Sequence, residues 1–179
     1  QRSALQDKAA MADQLLAEKA ALLAKIEELK KAKAINPIDG TAFFVDSASG
    51  QYGYRAQGDV VFAPGSDKIT KEGQVILTNL AEELKATKFP ITVVGHTDSD
   101  PIKLTADVWT RGNIHLGAHR AMSVLEFLVS KGIPEDRISL QSYGPNRPLA
   151  EGNSPEAKKK NRRVEIMLGE VLNTTASPN

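Results

Sequence analysis

Hydrophobic positions fall into two regimes along the chain. Over residues 1–35, Leu15, Leu22 and Leu29 recur every seven residues, and Leu5, Ala12 and Ile26 hold the interleaved position three residues earlier. Lys8, Lys19 and Lys33 interrupt this seam, while Leu16 and Leu23 widen it by one column. The stretch has no Gly, Pro or aromatic residue and is rich in strong helix formers. Such an a/d stripe predicts a long helix that buries its seam against a partner, as a parallel coiled-coil homodimer through residues 1–35. A single helix packed on its own globular domain is the competing solution. Either way the helix stops before Pro37, which pushes its predecessor out of α geometry.

From Pro37 onward the periods change. Ala42–Asp46 reads as a short strand, Ser47–Gly50 as a turn, and Gly53–Phe62 as a second strand interrupted near Gly58. Ile69–Lys88 carries Val75, Ile76, Leu77, Leu80, Ala81 and Leu84 at helical spacing, and Phe89-Pro90 ends it. Ile91–Gly95 has the apolar run of a buried strand, followed by a long polar connection, Thr97–Asn113. Leu116–Lys131 predicts a second amphipathic helix closed by Gly132. A strand near Arg137–Ser142, a loop over Tyr143–Glu156 and a closing strand over Asn161–Val171 complete the series. The order β(β)αβαββ predicts an α+β sandwich, with helices on one face of a mixed sheet.

Composition narrows the function. Hydrophobic content is 41%, and Lys+Arg 23 against Asp+Glu 22 leaves a net charge of +1, so neither wholesale disorder nor bulk-charge nucleic-acid binding is expected. With no Cys, thiolate zinc sites, iron–sulfur sites and a cysteine nucleophile are excluded. No apolar run is long enough to span a bilayer. The chain opens at Gln1, which leads us to expect an upstream segment carrying a membrane span, signal peptide or lipoprotein leader.

Three constellations carry candidate chemistry. Gly95-His96-Thr97-Asp98 follows an apolar strand, where side chains converge on a site or where Asp98 simply makes an Asx turn. His115 and His119 are one turn apart, but without a third ligand no metal site is expected. Lys158–Arg163 holds five cations without interleaved aromatics, the pattern of a solvated approach to a strand. Alternation places Arg163 and Glu165 on one face of that strand and Arg162 with Val164 and Ile166 on the other. A guanidinium on an apolar face requires an anionic or carbonyl partner, so Arg162 must have one. No nucleophile elbow, phosphate loop or paired-carboxylate motif is present, so no enzyme and no cofactor are expected.

Taken in order, several blocks over residues of about 55 to 170 resemble the OmpA/MotB-type C-terminal domain family. They are Asp59–Phe62, the V-V-G-H-T-D of 93–98, Asn113-x-x-Leu116-x-x-x-Arg120-Ala121-x-x-Val124, Gly132-Ile133-Pro134, Ser142-Tyr143-Gly144 with Pro148, and Asn161–Ile166. The long gap from Asp98 to Arg120 and its Trp-containing stretch resemble the flagellar stator branch. The resemblance implies a domain over 55–171 that binds peptidoglycan noncovalently, preceded by the helix of 1–36 and a linker and first strand at 37–54, and followed by a flexible tail at 172–179. It implies that Asp98 holds an amino group of the stem-peptide diaminopimelate and Arg120 its carboxylate. Thr97, Asn113, Leu116, Asn161 and Arg162 match neighbours lining that groove. Gly117 stands where members usually carry Ser, and Ala63–Ser66 replaces a loop that often offers Asp and Asn. The expected function is a cell-envelope anchor in the periplasm, part of a stator-like protein tethered to a membrane and a membrane partner by its upstream segment. The alternatives are an outer-membrane or lipoprotein anchor without a motor role, and a coiled-coil dimer without a ligand.

Overall fold

A computed structural model of the chain describes residues 8, 11–21, 24, 38–46, 51–103 and 105–169. The chain divides into two compact units, Gln1–Pro37 and Ile38–Asn179. In the first, residues 11–21 are helical, and Met11, Leu15 and Leu16 are exposed. The seam positions Leu5, Leu22, Ile26 and Leu29 lie outside the described residues, as do the turn at 47–50 and the tail at 172–179.

The second unit is built on five strands: β1 (Thr41–Val45), β2 (Tyr52–Gln57), β3 (Ile91–His96), β4 (Ile138–Gly144) and β5 (Arg163–Leu168), in the order β1-β2-β5-β3-β4. All neighbours are antiparallel except β3 and β4, the pair joined by a helical crossover, so the sheet is mixed as expected. The register sets Tyr54 beside Ile166, Ala56 beside Val164 and Val93 beside Ile166. These residues form the apolar face of the sheet. Against it pack Leu77, Leu80, Ala81 and Leu84 of α2 (Lys71–Lys85) and Ala121, Val124 and Leu128 of α3 (Asn113–Ser130). Thr70 caps α2, accepting from Gly73 N at 2.9 Å and donating to Val60 O at 2.6 Å.

Two short helices depart from the sequence reading. Where Gly58 was expected to interrupt a strand, the chain turns into α1 (Gly58–Val61). A Cβ at Gly58 would meet the backbone of Arg162, whose carbonyl accepts from Gly58 N at 2.7 Å; this contact ends β2 there. The expected loop and strand approach over 143–162 instead contains α4 (Pro155–Asn161), capped by Ser154 and started by Pro155. The basic run thus lies on a helix, and β5 begins only at Arg163.

Helix α3 crosses β3 very closely. A Cβ on Gly95 would overlap the backbone carbonyl of Gly117, and one on Gly117 would come within 2.5 Å of Ser142 Oγ. The backbone itself excludes a side chain at Gly95, whereas at Gly117 the crowding comes from the Ser142 hydroxyl. Ser142 occupies the space and donates to Ile114 O at 2.9 Å, supporting the helix start.

Candidate functional site

Asp98 follows β3 directly and is held from several sides. Its Oδ2 accepts from Arg162 Nη1 at 2.6 Å, and its Oδ1 accepts from Asp100 N at 3.1 Å. It therefore makes the Asx turn and also faces a charged neighbour. Thr97, buried behind it, donates from its hydroxyl to Asp98 O at 3.0 Å and from its amide to Gly144 O at 3.0 Å. Asn113, the first residue of α3, donates to Asp98 O at 3.2 Å and Asp100 O at 2.8 Å, tying the long connection to the helix start.

Arg162 does not lie on the apolar face of a strand, which corrects the alternation argument. It caps α4 at φ −73° and ψ 94°, one residue before β5, and its side chain leaves the core entirely. The partner it required is a pair of carboxylates. Asp59 of α1 takes Nε and Nη2 in a fork of two 2.7 Å bonds, and Asp98 takes Nη1. Hydrogen bonding to Asp59, opposed by burial and joined by Asp98, raises the Arg162 pKa further above its ordinary value. Side-chain exposures of 29% for Arg162, 39% for Asp59 and 13% for Asp98 leave this triad reachable from solvent.

Arg120 lies one turn after Leu116 on the core-facing stripe of α3, and both are buried. Its Nε donates to Ser66 O at 2.9 Å, and its guanidinium lies 5.0 Å from the Phe62 ring centre. Burial lowers its pKa, while the charges of Asp59 and Asp98 oppose that shift. An arginine remains protonated under such a shift, so the group is a fixed cation. Two carboxylates and two guanidiniums thus meet at the end of β3, from α1, the β3 exit, α3 and α4. Such a neutral, ordered set can grip a zwitterionic end group, one carboxylate for an ammonium and one planar fork for a carboxylate.

Asn161 is placed differently. Its Oδ1 accepts from Leu149 N at 2.7 Å and Ala150 N at 2.9 Å, and its Nδ2 donates to Ala150 O at 2.8 Å. Its amide is committed to folding the β4–α4 loop back onto α4.

Sequence reasoning missed three contributors. Asp59 stands in the sequence only as part of a block, and its link to Arg162, 103 residues away, depends on the assembled sheet. Ser66 supplies a backbone carbonyl, which no side-chain pattern reveals. Trp109, buried, donates from Nε1 to Gly65 O at 2.9 Å, and Thr105 donates to the same carbonyl at 3.2 Å. The long connection therefore pins the Ala63–Asp67 loop that Arg120 contacts, with Gly65 at φ +62° allowing its turn. His115 and His119 pack edge-on against each other, and both rings contact Trp109, His115 edge-on and His119 at a tilt. No group of three or more metal-ligating side chains occurs among the described residues.

A second ionic cluster lies on the other side of the sheet. Glu165 Oε1 accepts from Arg55 Nε and Arg163 Nε at 2.8 Å each, and His96 Nε2 stands 3.4 Å from Oε2. Burial alone would raise the Glu165 pKa, but the bonds and charges of His96, Arg163 and Arg55 hold it well below the usual carboxylate range. Burial lowers the His96 pKa, against the pull of Glu165.

The OmpA family sequence profile matches residues 61–162 of this chain. The chain belongs to the OmpA family. It is 32% identical over 145 residues to the probable lipoprotein YiaD of Escherichia coli K12, covering 79% of this chain and 62% of YiaD. It is 33% identical over 113 residues to the peptidoglycan-binding protein ArfA of Mycobacterium tuberculosis H37Rv, covering 62% of this chain and 32% of ArfA. Among solved structures, a putative MotB-like protein from Desulfovibrio vulgaris aligns with a TM-score of 0.70 at 25% identity, covering 84% of this chain and 91% of that one. The chain thus spans about three-fifths of one curated relative and a third of the other. The α+β architecture with helices on one face of a mixed sheet is that of this OmpA/MotB-like group. No helix among the described residues is long and apolar enough to cross a membrane.

Proposed function

We propose that this chain is a noncatalytic anchor that binds peptidoglycan through the diaminopimelate of the stem peptide. The observation that carries the reading is the convergence of Asp98, Arg162 and Asp59 beside the buried cation of Arg120. A carboxylate has about four acceptor sites, so Asp98 can keep Arg162 and still receive an ammonium. Arg120 supplies the complementary fork for the ligand's carboxylate, with Thr97, Asn113 and Leu116 shaping the wall between them. Family membership and the peptidoglycan-binding relative support this ligand class. Asp98→Ala and Arg120→Ala should each weaken co-sedimentation with diaminopimelate-type peptidoglycan by about ten- to hundredfold, the worth of one or two charge-assisted hydrogen bonds. Wild-type sedimentation by both folded variants would refute the site.

The likeness to a MotB-like structure favours a periplasmic stator-like part, tethered to a membrane by upstream sequence and dimerised through residues 1–35. The likeness to YiaD favours a lipoprotein anchor with the same grip and no motor role. Loss of swimming on gene deletion supports the first, and unaltered swimming supports the second. Deleting residues 1–34 should lower the oligomeric state in sedimentation equilibrium; a monomer before and after would refute the coiled coil.

A further inference from the structure

A cavity of about 560 Å³ opens between β1–β2 and α4, away from the groove at Asp98. Its volume lies within the range of small-molecule sites. Ala42, Leu149 and the backbone of Gly40 give it apolar walls, and Arg55, Lys159 and Lys160 give it cations. Arg163 and Glu156 also border it.

The two arginines differ in what they have left to offer. Arg163 is consumed: Nε goes to Glu165, Nη1 to Asn161 O and Nη2 to Arg147 O. Arg55 spends only Nε, on Glu165, and its guanidinium is steadied 4.3 Å over the Phe44 ring. Its two terminal nitrogens have no hydrogen-bond partner among the described residues. Lys159 and Lys160 form no ion pair there either, whereas Lys158 on the same helix turns away to Asp100 at 2.8 Å. Set against the charges of Glu156 and Glu165, the four cations Arg55, Arg163, Lys159 and Lys160 leave a net charge of two positive at a partly apolar cavity.

We propose that this cavity is a second binding site, for a small organic carboxylate whose body is apolar. Arg55 presents the planar fork that a carboxylate matches, the two lysines add long-range attraction, and Ala42 with Leu149 covers the apolar portion. The site is independent of the diaminopimelate groove, since Asp98 and Arg120 do not line it.

The test is titration of the ¹⁵N-labelled chain with 4-methylpentanoate, its primary amide and inorganic phosphate, followed by NMR. The free carboxylate should shift the side-chain signals of Arg55 and Gln57 and the amide of Leu149, with binding at least tenfold tighter than that of the amide or of phosphate. Lys159→Gln with Lys160→Gln should weaken it about tenfold, and Ala42→Phe, which fills the cavity from the strand position opposite Arg55, should abolish it. Asp98→Ala should leave it unchanged, which separates this result from any failure of the peptidoglycan reading. Equal binding of carboxylate and amide, equal binding of phosphate, or shifts confined to the Asp98 groove would each overturn the proposal.

Discussion

The sheet carries two ionic clusters of similar composition that differ in how far solvent reaches their carboxylates. At the end of β3, Asp59 and Asp98 share Arg162 beside Arg120. On the far side of the sheet, Glu165 is shared by Arg55 and Arg163 beside His96. The first has a carboxylate 39% exposed and draws its members from loops and helix ends, where geometry can admit a ligand. The second sits on strand positions in register, Arg55 opposite Glu165 and His96 opposite Arg163, with the Glu165 side chain only 9% exposed. Charge type does not separate the proposed binding site from the structural tie. Access to the carboxylates does.

The largest expected effect comes from breaking the sealed cluster. Glu165→Ala leaves the buried Arg163 guanidinium and His96 imidazole without their anion, and should cost about 3–5 kcal/mol in urea unfolding. Asp98→Ala, judged by the same measurement, should cost about 1 kcal/mol or less, because its partner Arg162 keeps the fork from Asp59 and reaches water. Equal losses in the two variants would erase the distinction drawn between the clusters.

Acid should expose the same difference. His96 has a folded pKa below its ordinary 6.5, so the unfolded chain binds the proton more readily. Its contribution is present above about pH 6.5 and lost as pH falls below that value. Glu165 is likewise depressed below the ordinary 4.5, so its share is lost at still lower pH. The urea midpoint should therefore fall steadily from pH 7.5 to 4, and His96→Gln should remove the upper part of that slope. A midpoint flat over the range would show that the sealed cluster does not titrate with folding.

These clusters were not equally legible in the amino-acid sequence. That Arg163 and Glu165 share a face follows from strand alternation alone, since residues two apart point the same way. Their tie to Arg55 needed the β2–β5 register, which no local pattern fixes. Arg162 was assigned to the wrong element, because the short helix before β5 hid in a Pro/Gly/Asn-rich stretch. Its cap, Ser154-Pro155-Glu156, was nonetheless a start signal. The demand that Arg162 have an anionic partner was correct, yet Asp59 lies 103 residues away and could be found only once the sheet was assembled. Helices α2 and α3 were read within a few residues because their apolar stripes are long and periodic. At Gly117, where members usually carry Ser, the structure shows a close crossing with Gly95.

The smallest effect is the most discriminating, since it asks whether the exposed cluster is organised by Asp59. Asp59→Asn keeps the shape of the side chain but removes half of the anionic charge that holds Arg162. The guanidinium then has only Asp98 as a charged partner and should draw more tightly onto it. The oxygens that the ligand's ammonium needs become less available, so peptidoglycan binding should fall a few-fold while stability changes by about 1 kcal/mol or less. Asp59→Glu, which restores the charge on a longer stem, should recover part of the affinity. Unchanged binding in Asp59→Asn would mean that Asp98 alone sets the pose of Arg162. The cluster would then be a simple ion pair with a spectator carboxylate rather than a shared guanidinium poised between two.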